Sequence, residues 1–379
     1  MAGALDGLRI IEFAGIGPGP FAAMMLADHG ADVIRIDRPG PGSPTPETDV
    51  LNRSRRSIVV NLKAPEGLGV VRDLVRTADG LIEGFRPGVM ERLGLGPDVL
   101  MDENPKLVYG RMTGWGQTGP LARDAGHDIN YIARSGALHA FGRRGEKPTP
   151  PVNAAADFGG GGMLLAFSML AGVSSAQRTG RGQVIDCAML EGSAVLMSMV
   201  WGFRADGTWR DERGVNLLDT GAHFYDVYET KDGKYVALGA IEPQFYEAFR
   251  RAAGLLDDPS FDDHFDEAKW VLLTDRLEAI FKSKTRDEWC ALLEGRDACF
   301  SPVLSMEEAL NCEHNQARQS FLNVAGVDQP APTPKFSATP AQTPRPARPA
   351  GADSADVLKA LGYNAEKISA LIQNGVIGG

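Results

Sequence analysis

Cysteine is scarce in this chain: four in 379 residues, Cys187, Cys290, Cys299 and Cys312. None forms a CxxC pair or lies at ligand spacing from a histidine. That argues against a disulfide-stapled secreted scaffold and against a zinc ribbon, and it points to reduced thiols in a cytoplasmic protein. Positive charge is short as well, with 39 Lys and Arg against 49 Asp and Glu and a net charge of −10. An acidic chain makes a poor nucleic-acid binder, though it can hold a phosphate-bearing ligand where its basic residues gather. No basic segment precedes the apolar run in "MAGALDGLRIIEF", so it does not read as a signal peptide. Long apolar runs are missing too. "MLLAFSMLAGV" and "SAVLMSMVWGF" are too short to span a bilayer and are expected to be buried helices. There is no internal repeat.

What is present is an ordinary globular composition, 43% hydrophobic and 23% charged, with length enough for two domains. "LRIIEFA" is rich in β-branched residues and predicts a buried strand. "FAAMMLADHG" predicts a helix, with Pro20 near its start and Gly30 at its end. "ADVIRID" predicts a second strand, "GVVRDLVRTA" a helix and "GLIEGF" a third strand, with "LVYGRMTG" and "QVIDCAM" as further strands. This βαβ alternation implies a parallel, doubly wound sheet. The pattern changes near residue 220: "HFYDVYET", "KDGK" and "KYVALGA" form a hairpin signal with Asp232-Gly233 as the turn, and helical patterns follow to about 310. Residues 326–351 are proline-dense and read as a semi-rigid connection. Ser354 can cap a final helical segment in which Leu358, Leu361, Ile368 and Leu371 share a face.

"GIGPGP" after the first strand imitates a dinucleotide fingerprint, but Pro20 occupies the third glycine position, so it reads as a turn that feeds a helix. The basic residues carry more information. Arg38 follows the second strand; Arg53, Arg55, Arg56 and Lys63 crowd "LNRSRRSIVVNLK"; Arg86 and Arg92 follow the third predicted strand. Open α/β sheets bind ligands at the carboxyl ends of their strands, and the planar arginine fork suits phosphate. Each arginine alone is better explained as part of a solvated face. Together they suggest a polyphosphate site such as an ADP moiety requires.

Ionisable residues also concentrate in three glycine-rich or element-ending stretches. These are "AGHDINY" with His127, "PPVNAAADFGGGGMLLAF" with Asp157, and "GAIEPQFY" with Glu242. Each has a plain structural explanation: a turn histidine bonded to a carbonyl, a helix N-cap, and a second capping acid. Spacing alone does not choose between these roles and chemistry.

"GLRIIEFAGIGPGPFAAMMLADHGADVIRIDRP", "NRSRRSIVVNLK", "EGFRPGVMERLGLG", "RMTGWGQTGP" and "GAIEPQFY" resemble the family III CoA-transferase and racemase superfamily. "GHDINY" and "GAIEPQFY" resemble its α-methylacyl-CoA racemase branch. The likeness runs from about residue 5 to the C-terminal "ALGYNAEKISALIQNGVI". It implies an α/β fold with a Rossmann-like large domain (1–190 and 320–379), a linker helix region (191–220) and a smaller α+β domain (221–312), in an interlocked homodimer. The active site would lie between the large domain of one subunit and the small domain of the other. The family's catalytic pair falls on His127 and Asp157, with Glu242 of the partner subunit orienting His127 and Asn153 hydrogen-bonding Asp157. The CoA contacts fall on Arg38, the strand Val60, Asn61, Leu62 and Lys63, then Gly84, Phe85, Arg86 and Arg92, and the loop Gly126, Asp128, Ile129, Asn130 and Tyr131.

Inverting the carbon next to a thioester carbonyl needs two acid–base groups, one on each face. Asp157 must then hold a proton near neutral pH, which burial or coupling to the histidine would favour. Backbone N–H groups near the "GHD" turn or at a helix start would stabilise the enolate. No metal and no dissociable cofactor is expected, CoA being part of the substrate. Three other readings compete. A CoA-transferase would use Asp157 as nucleophile, but it needs no histidine at 127, and transferases of the superfamily carry a glycine-rich run where "GAIEPQF" stands. A relative that binds CoA without chemistry would have lost His127, Asp157 or Glu242. A nicotinamide dehydrogenase is disfavoured by Pro20.

Overall fold

The computed structural model describes residues 3–40 and 48–378. The chain forms two compact units, one of Met1–Ser135, Val152–Leu196 and Ala317–Gly379, the other of Gly136–Pro151 and Met197–Gln316.

The first unit is built on a seven-stranded sheet. Six strands run parallel: β1 (Arg9–Phe13), β2 (Asp32–Asp37), β3 (Arg56–Val60), β4 (Gly80–Glu83), β5 (Val108–Thr113) and β6 (Gln183–Ala188). Their spatial order is β3-β2-β1-β4-β5-β6, so the direction of winding reverses between β1 and β4. In sheets of this kind the crevice beyond the carboxyl ends at that reversal is where ligands bind. The strands read as continuous β-branched runs because helices cover both faces: Ile10, Ile11, Ile58 and Val60 are fully buried. Pro18 starts helix α1 (Pro18–Asp28) and Pro65 starts α2 (Pro65–Val75), where the missing N–H of proline removes no helical bond.

Four details differ from the sequence reading. β3 ends at Val60, and Asn61 turns the chain by accepting from the Lys63 N–H, so Asn61–Lys63 is a loop rather than strand. A C-terminal strand, Ile377–Gly378, pairs antiparallel with β3 and completes the sheet. The proline-dense connection begins with a hairpin, Phe321–Val324 against Val327–Pro330. Ser354 does not cap its helix. It stands inside the first turn of Ser354–Ala360, where its hydroxyl donates to the Gly378 carbonyl and accepts from the Val59 N–H, tying the tail to the sheet. Of the four apolar residues of the tail, Leu358 lies in that helix, Leu361 follows its end, and Ile368 and Leu371 lie in the next helix, Ala365–Gln373; all pack into the core under the sheet.

The second unit holds a three-stranded antiparallel sheet of β7 (Tyr225–Glu229), β8 (Tyr235–Gly239) and β9 (Phe300–Pro302). Asp232 and Gly233 turn the predicted hairpin, with Gly233 at φ 73°. Phe224, Phe249, Phe261, Phe281 and Trp289 are fully buried between the sheet and its helices.

The two apolar runs expected to be buried are only half so. Helix α4 (Leu164–Thr179) buries Leu165, Ala166, Met169 and Val173 but exposes Phe167 at 68%. Together with the ten residues of π-helix before it, Ala154–Met163, it spans 26 residues, long and apolar enough by composition to cross a bilayer, yet its buried side packs as a core helix does. In the second unit, helix Ser198–Asp206 buries no residue and exposes Met199 and Trp201.

Candidate active site

Helix α3 (Asp128–Ser135) begins one residue after His127. The His127 carbonyl accepts the N–H groups of Asn130 and Tyr131, and its own N–H donates to the Asn130 side chain at 3.0 Å. The backbone there is fixed from both sides, while the imidazole is exposed. Among the described residues no carbonyl takes its ring N–H, so the plain role of a turn histidine does not hold. Gly126 before it is required by space: a Cβ would lie 2.7 Å from the Tyr131 ring. Tyr131 is itself buried edge-on to Trp115, with its hydroxyl bonded to the Gly126 carbonyl. The loop therefore offers a ligand Gly126, His127, Ile129 and Asn130, while Tyr131 supports it from beneath.

Asp157 lies on a ten-residue π-helix, Ala154–Met163, that runs into α4. Wide turns of this kind are rare and concentrate at functional sites. Here the glycines explain how it packs. A Cβ on Gly160 would meet the Ser193 amide at 2.5 Å, and one on Gly162 would meet the Phe21 ring at 2.7 Å. The run "GGGG" thus lets the π-helix approach α1 and helix α5 (Met189–Leu196) at backbone distance. The N-cap position belongs to Asn153, not Asp157, so the aspartate is not a capping acid. Asn153 Nδ2 donates to Asp157 Oδ2 at 3.3 Å.

Asp157 has its pKa raised from the ordinary carboxylate range. Burial is the main cause; the Asn153 hydrogen bond lowers it, the charge of Asp128 raises it, and the charge of His127 lowers it. Coupling to the histidine therefore opposes the upward shift instead of supplying it, which corrects that part of the sequence reading. Two contributors went unseen in the sequence. Gly17, at φ 74°, brings the "GIGPGP" turn beside the carboxylate, where a Cβ would sit 3.5 Å from Asp157 Oδ2. The turn that resembled a phosphate loop thus faces the aspartate. Asp128, expected to be a CoA contact, is buried, and its Oδ2 accepts the N–H groups of Ala156 and Asp157 at 2.7 and 2.8 Å.

The basic cluster separates into two groups. Arg53 is buried against Asp28, Arg55 against Glu12, and Arg56 pairs with Asp32. These three hold the fold together and are not available to a phosphate. Arg38, Lys63, Arg86 and Arg92 are exposed, without an ion-pair partner among the described residues. Arg38, Lys63 and Arg86 follow the carboxyl ends of β2, β3 and β4. Gly84 is exposed and Phe85 partly so, whereas the Val60 side chain is fully buried and leaves only backbone to a ligand.

In the second unit Glu242 precedes helix Pro243–Ala253. Its carbonyl accepts the Phe245 and Tyr246 N–H groups, but its exposed side chain makes no capping bond.

The model of CoA-transferase family III matches residues 5–354. The chain belongs to CoA-transferase family III. Within the family it is 43% identical over 375 residues to the α-methylacyl-CoA racemase of Mus musculus, covering 98% of this chain and 97% of the relative. Identity to the Homo sapiens α-methylacyl-CoA racemase is also 43%, over 376 residues, 99% of this chain and 97% of that one. The succinyl-CoA:glutarate CoA-transferase of Mus musculus is 29% identical over 98% of this chain and 90% of its own. Among solved structures, a CAIB/BAIF family protein from Brucella suis superposes with TM-score 0.82 at 26% identity, over 95% of this chain and all of that one. The seven-stranded sheet and its winding are thus those of a CoA-transferase family III fold.

Proposed function

We propose that this chain is an α-methylacyl-CoA racemase, an isomerase that interconverts (R)- and (S)-2-methylacyl-CoA thioesters. The observation that carries this is the 43% identity, across nearly the full length of both chains, to two proteins of that name. Between the branches of the family, His127 is the deciding residue, because a transferase using Asp157 as nucleophile has no need of a second proton-transfer group.

Neutral His127 takes the α-proton of one epimer, leaving an enolate, and protonated Asp157 delivers a proton to the opposite face. In the reverse direction ionised Asp157 takes the proton and the imidazolium returns one. The raised pKa of Asp157 supports this, since its acid form must persist towards neutral pH. The amides of Asp128 and Ile129 open α3 and have no carbonyl one turn back, so they suit the enolate oxygen. Arg38, Lys63, Arg86 and Arg92 hold the CoA phosphates, with the Asn61–Lys63 loop, Gly84–Phe85 and the exposed part of the Gly126–Asn130 loop along the rest of the carrier. No further cofactor takes part in this scheme.

The reading includes an interlocked homodimer in which Glu242 of the partner subunit orients His127. The exposed apolar side chains Phe167, Leu170, Met199 and Trp201 support such burial by a second copy. Free thiols at Cys187, Cys290, Cys299 and Cys312 suit a reducing compartment, the cytoplasm.

In D₂O, both epimers of a 2-methylacyl-CoA should gain deuterium at C2, and His127→Ala should suppress exchange from one epimer by about a hundredfold more than from the other. Transfer of CoA to a free carboxylic acid, without deuterium uptake, would establish the transferase chemistry instead.

A further inference from the structure

Asp128 is an unusual neighbour for a catalytic histidine. It is 4% exposed, yet it is the first residue of an exposed helix start. Its Oδ2 accepts two hydrogen bonds, both from amides across the fold: Ala156 N at 2.7 Å and Asp157 N at 2.8 Å. Its Oδ1 is buried with no hydrogen-bond partner among the described residues. If an acceptor for two amides were all that was needed, a neutral side chain would serve, as serine and asparagine do at helix starts. A buried carboxylate with one oxygen unsatisfied costs free energy that a neutral acceptor avoids.

We propose that Asp128 is a positioning residue for Asp157, through a carboxylate that clamps the amides opening the π-helix to the segment carrying His127. The chain then sets both proton-transfer groups from one dipeptide. His127 presents its imidazole from the loop, and Asp128, turned inward by the start of α3, grips the backbone of the opposing acid. A one-residue offset at a helix start points the two side chains apart, so a single rigid element governs the separation of two groups thirty residues apart in sequence. The charge has a second effect, since a carboxylate facing Asp157 makes its ionised form less favourable, in the same direction as burial does. A neutral acceptor would reproduce the grip but not the charge.

This rests on the racemase reading for its kinetic part, and the test separates the two. Asp128→Asn keeps an acceptor oxygen and removes the charge; Asp128→Ala removes both. In the asparagine variant, titration of the Asp157 carboxyl, followed by ¹³C NMR on aspartate-labelled protein, should move to lower pH. The limb of the pH–rate profile belonging to Asp157 should move with it. The sign follows because removing a neighbouring negative charge makes the ionised acid more favourable. In the alanine variant kcat should fall by about tenfold or more, with KM for the acyl-CoA changed less than about threefold, and the asparagine variant should recover much of that loss. An Asp157 titration unmoved in both variants would overturn the proposal whatever the reaction proves to be. Equal loss in both variants would overturn it as well, since that marks a merely structural role. Should the alanine variant not fold, Asp128→Leu, which fills the same space and removes both the acceptor and the charge, takes its place. Wild-type protein that exchanges no deuterium, with the Asp157 titrations of the Asp128 variants shifted as expected, would sink the racemase reading and leave the clamp standing.

Discussion

Arginine shows how much a residue's role depends on what faces it. Arg53 and Arg86 are both strand-flanking arginines, but Arg53 donates to buried Asp28 at 3.0 Å, to buried Gln329 and to the Pro330 carbonyl. Arg86 stands exposed beyond β4. Removing one member of a buried pair strands the other charge, so Arg53→Ala should cost about 3–5 kcal/mol of stability in a denaturant titration and leave KM for the acyl-CoA nearly unchanged. Arg86→Ala should do the reverse, with an unaltered unfolding midpoint and a KM raised by about tenfold through a lost phosphate contact. The order of these two effects is measurable on purified variants and would be inverted if the "NRSRRS" arginines met the ligand. Their spacing resembled a phosphate site because the partners, Glu12, Asp28 and Asp32, lie 24 to 43 residues away. Nothing local in "LNRSRRS" says which arginine finds a buried carboxylate.

The π-helix is the element on which the site depends, and its glycines set how close its neighbours come. A Cβ on Gly192 would lie 1.8 Å from the Gly160 carbonyl oxygen, a contact of backbone with backbone that no side-chain movement relieves. Gly192→Ala should therefore destabilise by about 3 kcal/mol or more and lower kcat as the π-helix shifts. Gly69→Ala, in α2 with nothing within 4 Å of its Cβ, should instead stabilise by up to about 1 kcal/mol. Chemical denaturation of the pair checks both. Elements with strong local signals were legible in the sequence: the β-branched runs of β1 and β2, the Asp-Gly hairpin, and the body of α1, although that helix opens on Pro18 and takes Pro20, expected at its start, into its first turn. The two-residue C-terminal strand and the short β9 were not, because neither has a local reason to be extended. Each is a strand only because a partner, β3 or β8, offers it hydrogen bonds.

For the molecule as a whole, the proposed sharing of the site between two copies is open to a complementation test. If His127 and Glu242 act across the interface, co-expressed His127→Ala and Glu242→Ala chains should regain activity that neither has alone. Random pairing would restore about a quarter of the sites, because half of the dimers are mixed and each mixed dimer rebuilds one intact site. Rates no higher than those of the separate variants would place both residues in one subunit's site. The order of strands and helices, the parallel winding, and the candidates His127, Asp157 and Glu242 followed from the chain's pattern and its family likeness. These depend on hydrophobic periodicity, on proline and glycine, and on long shared motifs, all of which are local in sequence. The inward turn of Asp128, the approach of Gly17 to Asp157, and the division of the arginines between ion pairs and open sites came from the folded molecule alone. Each joins groups separated by tens of residues, and only packing decides which of them share a desolvated space.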